Sequence, residues 1–558
     1  MSAPARAPAD ARPQGDDDAR PGGGPEASSD SFRRLAARLA RLFRLLGPRV
    51  EVSLVAAFKA DPLLRYATLV LAIAAWIPLF LTPFLPFADQ GINTAVAELL
   101  WDTARGHAPA AHFHEIQWTP MPYWTTYAMQ SVLGLMFGPL VAGKIAVAFI
   151  LVLIPLSMMR LLISLGRDPR LGLWAFALGY QHNLFCGWLA LLQGFGLATF
   201  LLAWLIEART AREGFKLAPF ALLLGLTHVQ GTWLFGLAGV ALTFTRGSVK
   251  KRIPIHAAAF AGNIVSVLPW LWNQIHATTT VAAALPAFSF DWHRPAAKIS
   301  QFFAYTLDDF AQRDAERAAA ITFGIMVVGP MILGSLLPPR TVRSPSDRWS
   351  AVVLLGVPVA LYVFLPFAID GPIAHWYTYP RYAVVVLWWL LLVPRPNLRG
   401  AAVWGLLPGV LAALIMDVTV GRQFASFGAR TRSFLEITRS VPKEASVISV
   451  VLDDNDTDPD FKLWPFHQFY AYITAFNHGY SPYMWGTRAI PLVYRLQNAL
   501  PSPGWYAPFS LDEHGRFYDY IFVQGFAHGD PVASATSRLG LHPQLVKQVD
   551  RWRLYRVR

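Results

Sequence analysis

Apolar runs of membrane-spanning length recur along most of the chain, separated by short polar connections. A spanning helix needs about 20 consecutive apolar residues. The pattern predicts about eleven transmembrane helices. Their ends are approximate, because several of the runs are shorter than this length. The predicted spans are Tyr66–Leu85, Val141–Ile163, Leu171–Phe185, Trp188–Ile206, Leu217–Val229, Thr232–Phe244, Ile253–Trp272, Ala318–Leu337, Trp349–Ile369, Tyr382–Val393 and Ala401–Val418.

The residues before the first span divide into two parts. Residues 1–30 are rich in Pro, Gly, Ala and Asp and show no hydrophobic period, which predicts a disordered tail. Within the basic segment 31–60, apolar residues recur at helical spacing from Phe32 to Leu46, with arginines on another face. This pattern is typical of an amphipathic helix on an anionic cytoplasmic leaflet. A basic flank that only sets the topology is the alternative.

After residue 419 the apolar runs end and a mixed pattern begins. Three strand-like runs, at 445–452, 518–525 and 551–557, alternate with helical stretches. Residues 420–558 therefore predict a small α/β domain outside the membrane. The acidic run 453–460 has neither the glycine nor the distal glutamate of a calcium-binding EF-hand loop, so we interpret it as a solvated loop.

Composition supports a multi-pass membrane protein and excludes several other classes. The chain has 558 residues, of which 54% are hydrophobic and 15% charged. Its net charge of +13 comes from Lys and Arg between apolar segments, where topology accounts for them, so no nucleic-acid partner is expected. The one cysteine, Cys186, rules out an intrachain disulfide. No P-loop, Gly-rich dinucleotide turn or HExxH motif occurs.

The distribution of basic residues predicts the orientation. Arginines and lysines cluster in every second connection, for example at Arg160–Arg170, Arg209–Lys216, Lys250–Arg252 and Arg395–Arg399. The positive-inside rule then places the N-terminus in the cytoplasm. An odd number of spans places 420–558 outside, and leaves the long connections 86–140 and 273–317 as outer loops.

In this orientation, histidines and charged residues from several separate loops gather near the outer face. Asp89, directly after the first span and its proline exit, is the strongest candidate, because a carboxylate at the mouth of a helical bundle is a functional-site hypothesis by default. The competing interpretation is that Asp89 only caps the next helix. Asp417, in contrast, is placed at the end of the last span.

Two further groups of outer residues carry candidate chemistry. The segment HFHE places His112, His114 and Glu115 close together, where they could assist a carboxylate or bind a divalent metal ion. Cationic and imidazole side chains that could meet a phosphate occur in two other outer segments. They are Arg294, Lys298, His375 and Arg381. For each cation, the alternative is a side chain that reaches to the membrane surface.

The layout resembles the GT-C superfamily of polytopic glycosyltransferases, which use polyprenyl-phosphate-linked sugars. The resemblance lies in PFADQGINTAVAELL after the first span, WTPMPYW in the first outer loop, LLISLGRDPRLG at the end of the next span, and VPKEASVISV and YDYIFV in the C-terminal part. It is closest to an uncharacterised bacterial branch with an Asp-x-Pro-Asn-His exit and a GFLNFLLG hairpin. Here Gly91–Ile92–Asn93 replaces Pro-Asn-His, and the hairpin reads GWLALLQG, Gly187–Gly194.

The resemblance implies a hexosyl- or pentosyltransferase of the bacterial inner membrane, working on the periplasmic face. Asp89 would be the base or the metal-positioning carboxylate, and the cations would stabilise the departing phosphate. The expected partners are the polyprenyl-phosphate sugar and membrane lipids, and the sequence names no protein partner. Two alternatives remain open: a transporter or flippase of a lipid-linked intermediate, and a non-catalytic scaffold of envelope assembly, which the altered residues after Asp89 favour.

Overall fold

A computed structural model describes residues 50–281, 289–339, 345–370, 375–451, 458–484, 490–503, 508–525 and 530–558. These residues belong to one compact unit that begins at Arg49. The predicted tail 1–30, the predicted helix Phe32–Leu46 and positions 453–457 of the acidic run lie outside the described residues.

Helices dominate the described part of the chain. The α-helices are α1 Val50–Ala60, α2 Pro62–Phe80, α3 Gln90–Ala104, α4 Ala110–Phe113, α5 Trp124–Phe137, α6 Pro139–Ser164, α7 His182–Phe185, α8 Leu189–Glu207, α9 Ala211–Phe215, α10 Ala218–Thr227, α11 Val229–Thr245, α12 Val249–Val281, α13 Pro295–Ser300, α14 Arg313–Leu336, α15 Pro345–Phe364, α16 Ala383–Leu390, α17 Leu407–Thr431, α18 Phe434–Ser440 and α19 Ala471–Asn477. Short 3₁₀ segments occur at Pro169–Leu178, Pro380–Tyr382, Gly400–Leu406, Leu496–Asn498 and Gly515–Phe517.

Among the described residues, six helical segments are long and apolar enough to cross a membrane. They are Pro62–Phe80, Pro139–Ser164, Leu189–Glu207, Val249–Asn273, Arg313–Leu336 and Gly400–Thr431. Two shorter apolar helices, Val229–Thr245 and Trp349–Phe364, match further predicted spans. The chain is therefore a helical membrane protein, and the count of eleven spans stays a prediction.

The structure differs from the predicted spans in two instructive places. The run Leu171–Phe185 folds mainly as the 3₁₀ segment Pro169–Leu178, whose buried residues lie inside the bundle. Helix α17 continues through the predicted boundary at 419 to Thr431. Asp417 consequently lies near the middle of a long helix, and its predicted position at the end of the last span is wrong.

The C-terminal part contains a four-stranded sheet of β4 Val447–Val451, β6 Tyr520–Gln524, β7 Gln544–Val549 and β8 Trp552–Arg556. The strand order is β4-β6-β8-β7, with β4 parallel to β6 and the other pairs antiparallel. The three strands predicted from the sequence occur as β4, β6 and β8. The more polar β7 was not predicted, because the alternation of its residues is weak.

Two small strand pairs connect distant parts of the chain. Strand β1 His114–Ile116, in the long connection 86–140, pairs antiparallel with β5 Leu492–Tyr494 of the C-terminal part. Strand β2 Ser289–Asp291 pairs antiparallel with β3 Ala368–Asp370.

The C-terminal part also packs directly on the first turn of α3. A Cβ at Gly91 would lie 2.2 Å from the carbonyl oxygen of Gln468, so only glycine permits this contact.

A buried ion cluster fixes the end of α17. Nη2 of Arg430 contacts Oδ1 of Asp458 and Oδ2 of Asp460, each at 2.6 Å, and both carboxylates are buried. These two residues end the acidic run predicted as a solvated loop. For them that prediction is wrong, because the guanidinium of a distant helix pairs with both charges.

Candidate functional site

Asp89 lies just before α3, held by the turn that precedes α8. Its backbone N–H donates to the carbonyl oxygen of Cys186 at 3.2 Å. Gly187 has a φ of +82°, and a Cβ there would lie 2.9 Å from the Asp89 backbone. Glycine is therefore required for this close approach. The Asp89 carboxylate makes no capping hydrogen bond to α3, so capping does not account for this residue.

The surroundings of Asp89 make its carboxyl a weak acid. The residue is 8% exposed, and none of the ion pairs among the described residues includes it. Burial raises the pKa of Asp89 from 3.8 to about 7, while the charges of His467 and Arg381 and a hydrogen bond from Trp188 oppose the rise. A carboxyl that titrates near neutral pH suits proton transfer.

Arg381 lines the same cavity as Asp89 and keeps one donor unused. It belongs to the 3₁₀ turn Pro380–Tyr382, and its Cζ lies 4.2 Å from the ring centre of Trp188. Such stacking holds the guanidinium plane in one orientation. Its Nη1 donates to His375, but its buried Nε has no hydrogen-bond partner among the described residues. An unpaired buried donor on a cation is an anion-binding feature.

His375 orients Arg381. Nε2 of His375 lies 3.2 Å from Nη1 of Arg381 and 2.8 Å from Nε2 of Gln230. Since a guanidinium can only donate, Nε2 of His375 accepts and its proton sits on Nδ1. Burial and the charge of Arg381 hold the pKa of His375 well below its usual 6.5, so the ring is neutral. His375 was predicted as a phosphate ligand, but its Nε2 is already occupied.

The cavity has a volume of about 220 Å³. Drug-sized ligands occupy pockets of about 300–1,000 Å³, so this cavity suits a sugar or a phosphate group. The lining residues are Asp89, Asn93, Tyr123, Thr126, Tyr127, Gly187, Trp188, Leu189, Ala190, Leu191, His228, Arg381 and Ile490.

Asn93 stands where the resembling bacterial branch has histidine. Its Nδ2 donates to the carbonyl oxygen of Gly187 at 2.8 Å, and its Oδ1 accepts from the hydroxyl of Tyr127 at 3.4 Å. A polar side chain is therefore kept at this position, and it connects the turn at Gly187 to α5.

Besides His375, the predicted phosphate ligands Lys298 and Arg294 also lie outside the cavity lining. Lys298 is buried, and its Nζ donates to the carbonyl oxygens of Val363 and Leu365 at 2.8 and 2.6 Å. It thereby satisfies carbonyls at the C-terminal end of α15, as cations often do. Arg294 precedes α13 and is exposed.

The segment His112–Glu115 is placed at the seam with the C-terminal part. His112 is exposed, His114 is buried beside Tyr494, and Glu115 is exposed, 3.9 Å from Arg495. None of the three lines the cavity of Asp89. They do not fit a common metal ion, and the described residues contain no group of three or more His, Cys, Asp or Glu side chains that could hold one.

Several residues of the site were given no role by the sequence analysis. Trp188, His228, Tyr123 and Tyr127 line the cavity, and His467 acts on Asp89 from the C-terminal part. The glycine at 187, next to Trp188, is the one local signal in the sequence. The other residues come from loops whose proximity only the fold reveals.

Behind the cavity wall, a buried ion pair holds two loops together. Nδ1 of His182 lies 2.7 Å from Oδ1 of Asp309, and Nε2 lies 3.6 Å from Sγ of Cys186. All three residues are buried, and none lines the cavity. This cluster fixes the turn at Cys186–Gly187 and therefore the backbone on which Asp89 rests.

The fold and the site together define a helical membrane protein with a small cavity that contains a buried carboxyl and an arginine. No family model matches the chain, and no curated protein matches it. Among solved structures, the crystal structure of ArnT from Cupriavidus metallidurans in the apo state is similar in fold. It is 13% identical, covers 88% of this chain and 96% of its own, and gives a TM-score of 0.49. A likeness at this level concerns the course of the chain alone.

Proposed function

We propose that the protein is a membrane glycosyltransferase that transfers a sugar from a polyprenyl-phosphate donor to an acceptor hydroxyl. The observation that carries the proposal is that Asp89 and Arg381 line one small cavity, the first with a carboxyl whose pKa is raised to about 7 and the second with an unused donor. The sequence resemblance to GT-C enzymes supports the same class.

The chemistry requires one base and one anion-binding group. The acceptor oxygen attacks the anomeric carbon while its proton passes to the Asp89 carboxylate. The bond between the anomeric carbon and the phosphate oxygen breaks, and its electron pair stays on the polyprenyl phosphate. Arg381, held by Trp188 and His375, stabilises that phosphate through its Nε and remaining N–H groups.

The acceptor would enter where the C-terminal part meets the helical part. Ile490 lines the cavity from that side, and the charge of His467 acts on Asp89. We place this opening on the periplasmic face of a bacterial inner membrane, with the N-terminus in the cytoplasm, as the distribution of basic residues predicts. A divalent metal ion stays a prediction.

The test is sugar transfer by the purified full-length protein in lipid, with a panel of labelled polyprenyl-phosphate sugars. We expect turnover by the native protein and a loss of at least about 100-fold in Asp89→Asn, the usual contribution of a positioned base. An Asp89→Asn protein with native turnover would refute the role of Asp89. Saturable binding of the lipid phosphate without turnover would favour the non-catalytic scaffold.

A second candidate function, transport of a lipid-linked intermediate, is favoured by Asp417. This carboxyl lies near the middle of α17, is buried, and its Oδ2 has no hydrogen-bond partner among the described residues. An ionisable residue at that depth is a functional-site hypothesis by default. Movement of a labelled lipid-linked sugar across proteoliposomes that is lost in Asp417→Asn but kept in Asp89→Asn would establish transport instead of transfer.

A further inference from the structure

A second cavity lies between helices at the opposite end of α17 from Asp89. One wall is the second half of α14, from Gly324 to Leu336, and the other is formed by residues 401–408. The far end of α17 packs beside the first cavity, where Phe424 contacts Phe87 with ring centres 5.9 Å apart. Since both walls belong to segments apolar and long enough to cross a membrane, this cavity opens at the other membrane face.

The lining of this groove is predominantly apolar. Its volume is about 550 Å³, and its walls are aliphatic residues, glycines, one proline and two tryptophans. The deeper tryptophan, Trp174, donates its indole N–H to the carbonyl oxygen of Leu406 at 3.0 Å, so its polar atom is already satisfied. A sugar, nucleotide or peptide would lose its hydrogen bonds here, whereas a lipid chain would lose none.

The groove is fixed by packing and kept open by a glycine. Cβ atoms at Gly329 and Gly409 would lie 2.6 and 2.2 Å from the Trp174 indole, so the ring packs closely against the backbone of both helices. A Cβ at Gly324 would meet nothing within 4 Å. A larger residue at 324 would therefore enter the groove without displacing the fold.

The mouth of the groove has the character of a membrane surface. Trp404 lines the groove and is 69% exposed, as expected of a tryptophan at the headgroup level. Arg399 is exposed two residues before the lining residue Ala401, and none of the ion pairs among the described residues includes it. An apolar groove that ends beside an exposed cation complements a lipid whose acyl chain is attached to an anionic headgroup.

We propose that this groove binds one acyl chain of an anionic membrane phospholipid, whose phosphate meets Arg399. The site is separate from the cavity of Asp89 and does not depend on the function proposed for it. The lipid bound in the groove is a resident phospholipid, and not the polyprenyl-phosphate substrate.

The experiment is native mass spectrometry of the full-length protein in detergent, titrated with phosphatidylglycerol or phosphatidylethanolamine that carry the same acyl chains. We expect one bound lipid and about a fivefold preference for phosphatidylglycerol, the contribution of about one cation near an anionic head. Gly324→Leu should lose both lipids, and Arg399→Gln should keep the binding but lose the preference.

Two matched variants serve as controls. Gly356→Leu is also a helical glycine whose Cβ would meet nothing within 4 Å, but it lies outside the groove. Arg212→Gln removes another exposed arginine predicted on the same face. Both should behave as native, and unfolding temperatures check that every variant is folded. Native binding by Gly324→Leu, equal binding of the two lipids, or displacement of the lipid by a polyprenyl phosphate would each overturn the proposal.

Discussion

Two regions on the same side of the molecule place an arginine near carboxylates, and they do so in opposite ways. Around Arg430 every charge is paired: Nε and Nη2 meet Asp458, Nη2 also meets Asp460, and Nη1 donates to Ser426. Around Arg381 pairing is incomplete, because Nε has no partner among the described residues and Asp89 has no counter-ion in contact.

The difference distinguishes charges that hold the fold from charges held ready for a ligand. A saturated cluster leaves nothing for a substrate to bind. An incomplete one keeps a free-energy cost in the folded protein that a ligand can relieve. If burial of the carboxylates alone decided which region binds a ligand, the region around Arg430 would be chosen, since Asp458 and Asp460 are buried more completely than Asp89.

The largest expected effect is on stability in the saturated region. Arg430→Ala leaves two buried carboxylates unpaired and should lower the free energy of unfolding by about 3–5 kcal/mol. Thermal or denaturant unfolding in detergent measures this, with Arg432→Ala, at an exposed neighbour, as the control. If both variants unfold alike, Arg430 does not have the structural role assigned here.

Asp89→Asn should change stability in the opposite direction. A raised carboxyl pKa means that the folded state favours the protonated form, so the cost of ionisation grows from pH 3.8 upward and is complete above pH 7. The neutral amide avoids this cost. The gain in the free energy of unfolding is at most about 4 kcal/mol, because a shift of one pKa unit corresponds to about 1.36 kcal/mol. Lower stability of Asp89→Asn than of the native protein at pH 8 would contradict the incomplete pairing.

The next largest effect separates the two predicted arginines. Arg381→Ala should lower kcat/KM for the lipid donor by about 100-fold, because it removes an anchored, partly unpaired donor from the cavity. Arg294→Ala should change it by less than about twofold, since that side chain is exposed and outside the lining. Equal losses in the two variants would mean that the phosphate binds at the surface.

The next prediction concerns the pH dependence of sugar transfer, which should change by about tenfold per pH unit below the pKa of Asp89. If Asp89 is the base, transfer requires its carboxylate, so activity should rise with pH through about 7 and level off above it. In Arg381→Ala the midpoint should move upward, because the charge of Arg381 lowers the pKa of Asp89. A profile without a midpoint between pH 6 and 8 would assign proton transfer to another group.

The smallest effect tests how Arg381 is positioned. His375→Ala should raise the KM for the lipid donor by about fivefold, which corresponds to the loss of roughly one hydrogen bond. His375→Gln should recover most of it, since the glutamine oxygen can accept from the guanidinium as the neutral imidazole does. No recovery by glutamine, with the fold intact, would mean that His375 contacts the substrate itself.

Sequence alone predicted the helical membrane part, three of the four strands of the C-terminal sheet, and the two residues on which the proposal rests. Asp89 follows a proline exit and Arg381 precedes an apolar helix, so local pattern was enough to single them out. Lys298 could not be interpreted in this way, because its partners are carbonyl oxygens at the end of a distant helix.

The remaining differences come from contacts that the linear pattern does not encode. His114 resembles a metal ligand by spacing, but strand pairing with Leu492–Tyr494 buries it beside Tyr494. The span predicted to end at Val418 continues to Thr431, since tertiary contacts sustain the helix after hydropathy falls. Trp188 lines the cavity, and His467 comes close enough to act on Asp89, only through the fold.

The contact between Gly91 and Gln468 has a consequence for building chimeras of this protein. Because the C-terminal part rests on the first turn of α3, exchanging residues 432–558 for those of a relative would also replace Ile490 in the lining of the cavity of Asp89. Under the proposed function, such an exchange would transplant acceptor recognition together with the C-terminal part. It would succeed only with a donor segment whose backbone follows the same path past Gly91, and a side chain added at position 91 would force the two halves apart.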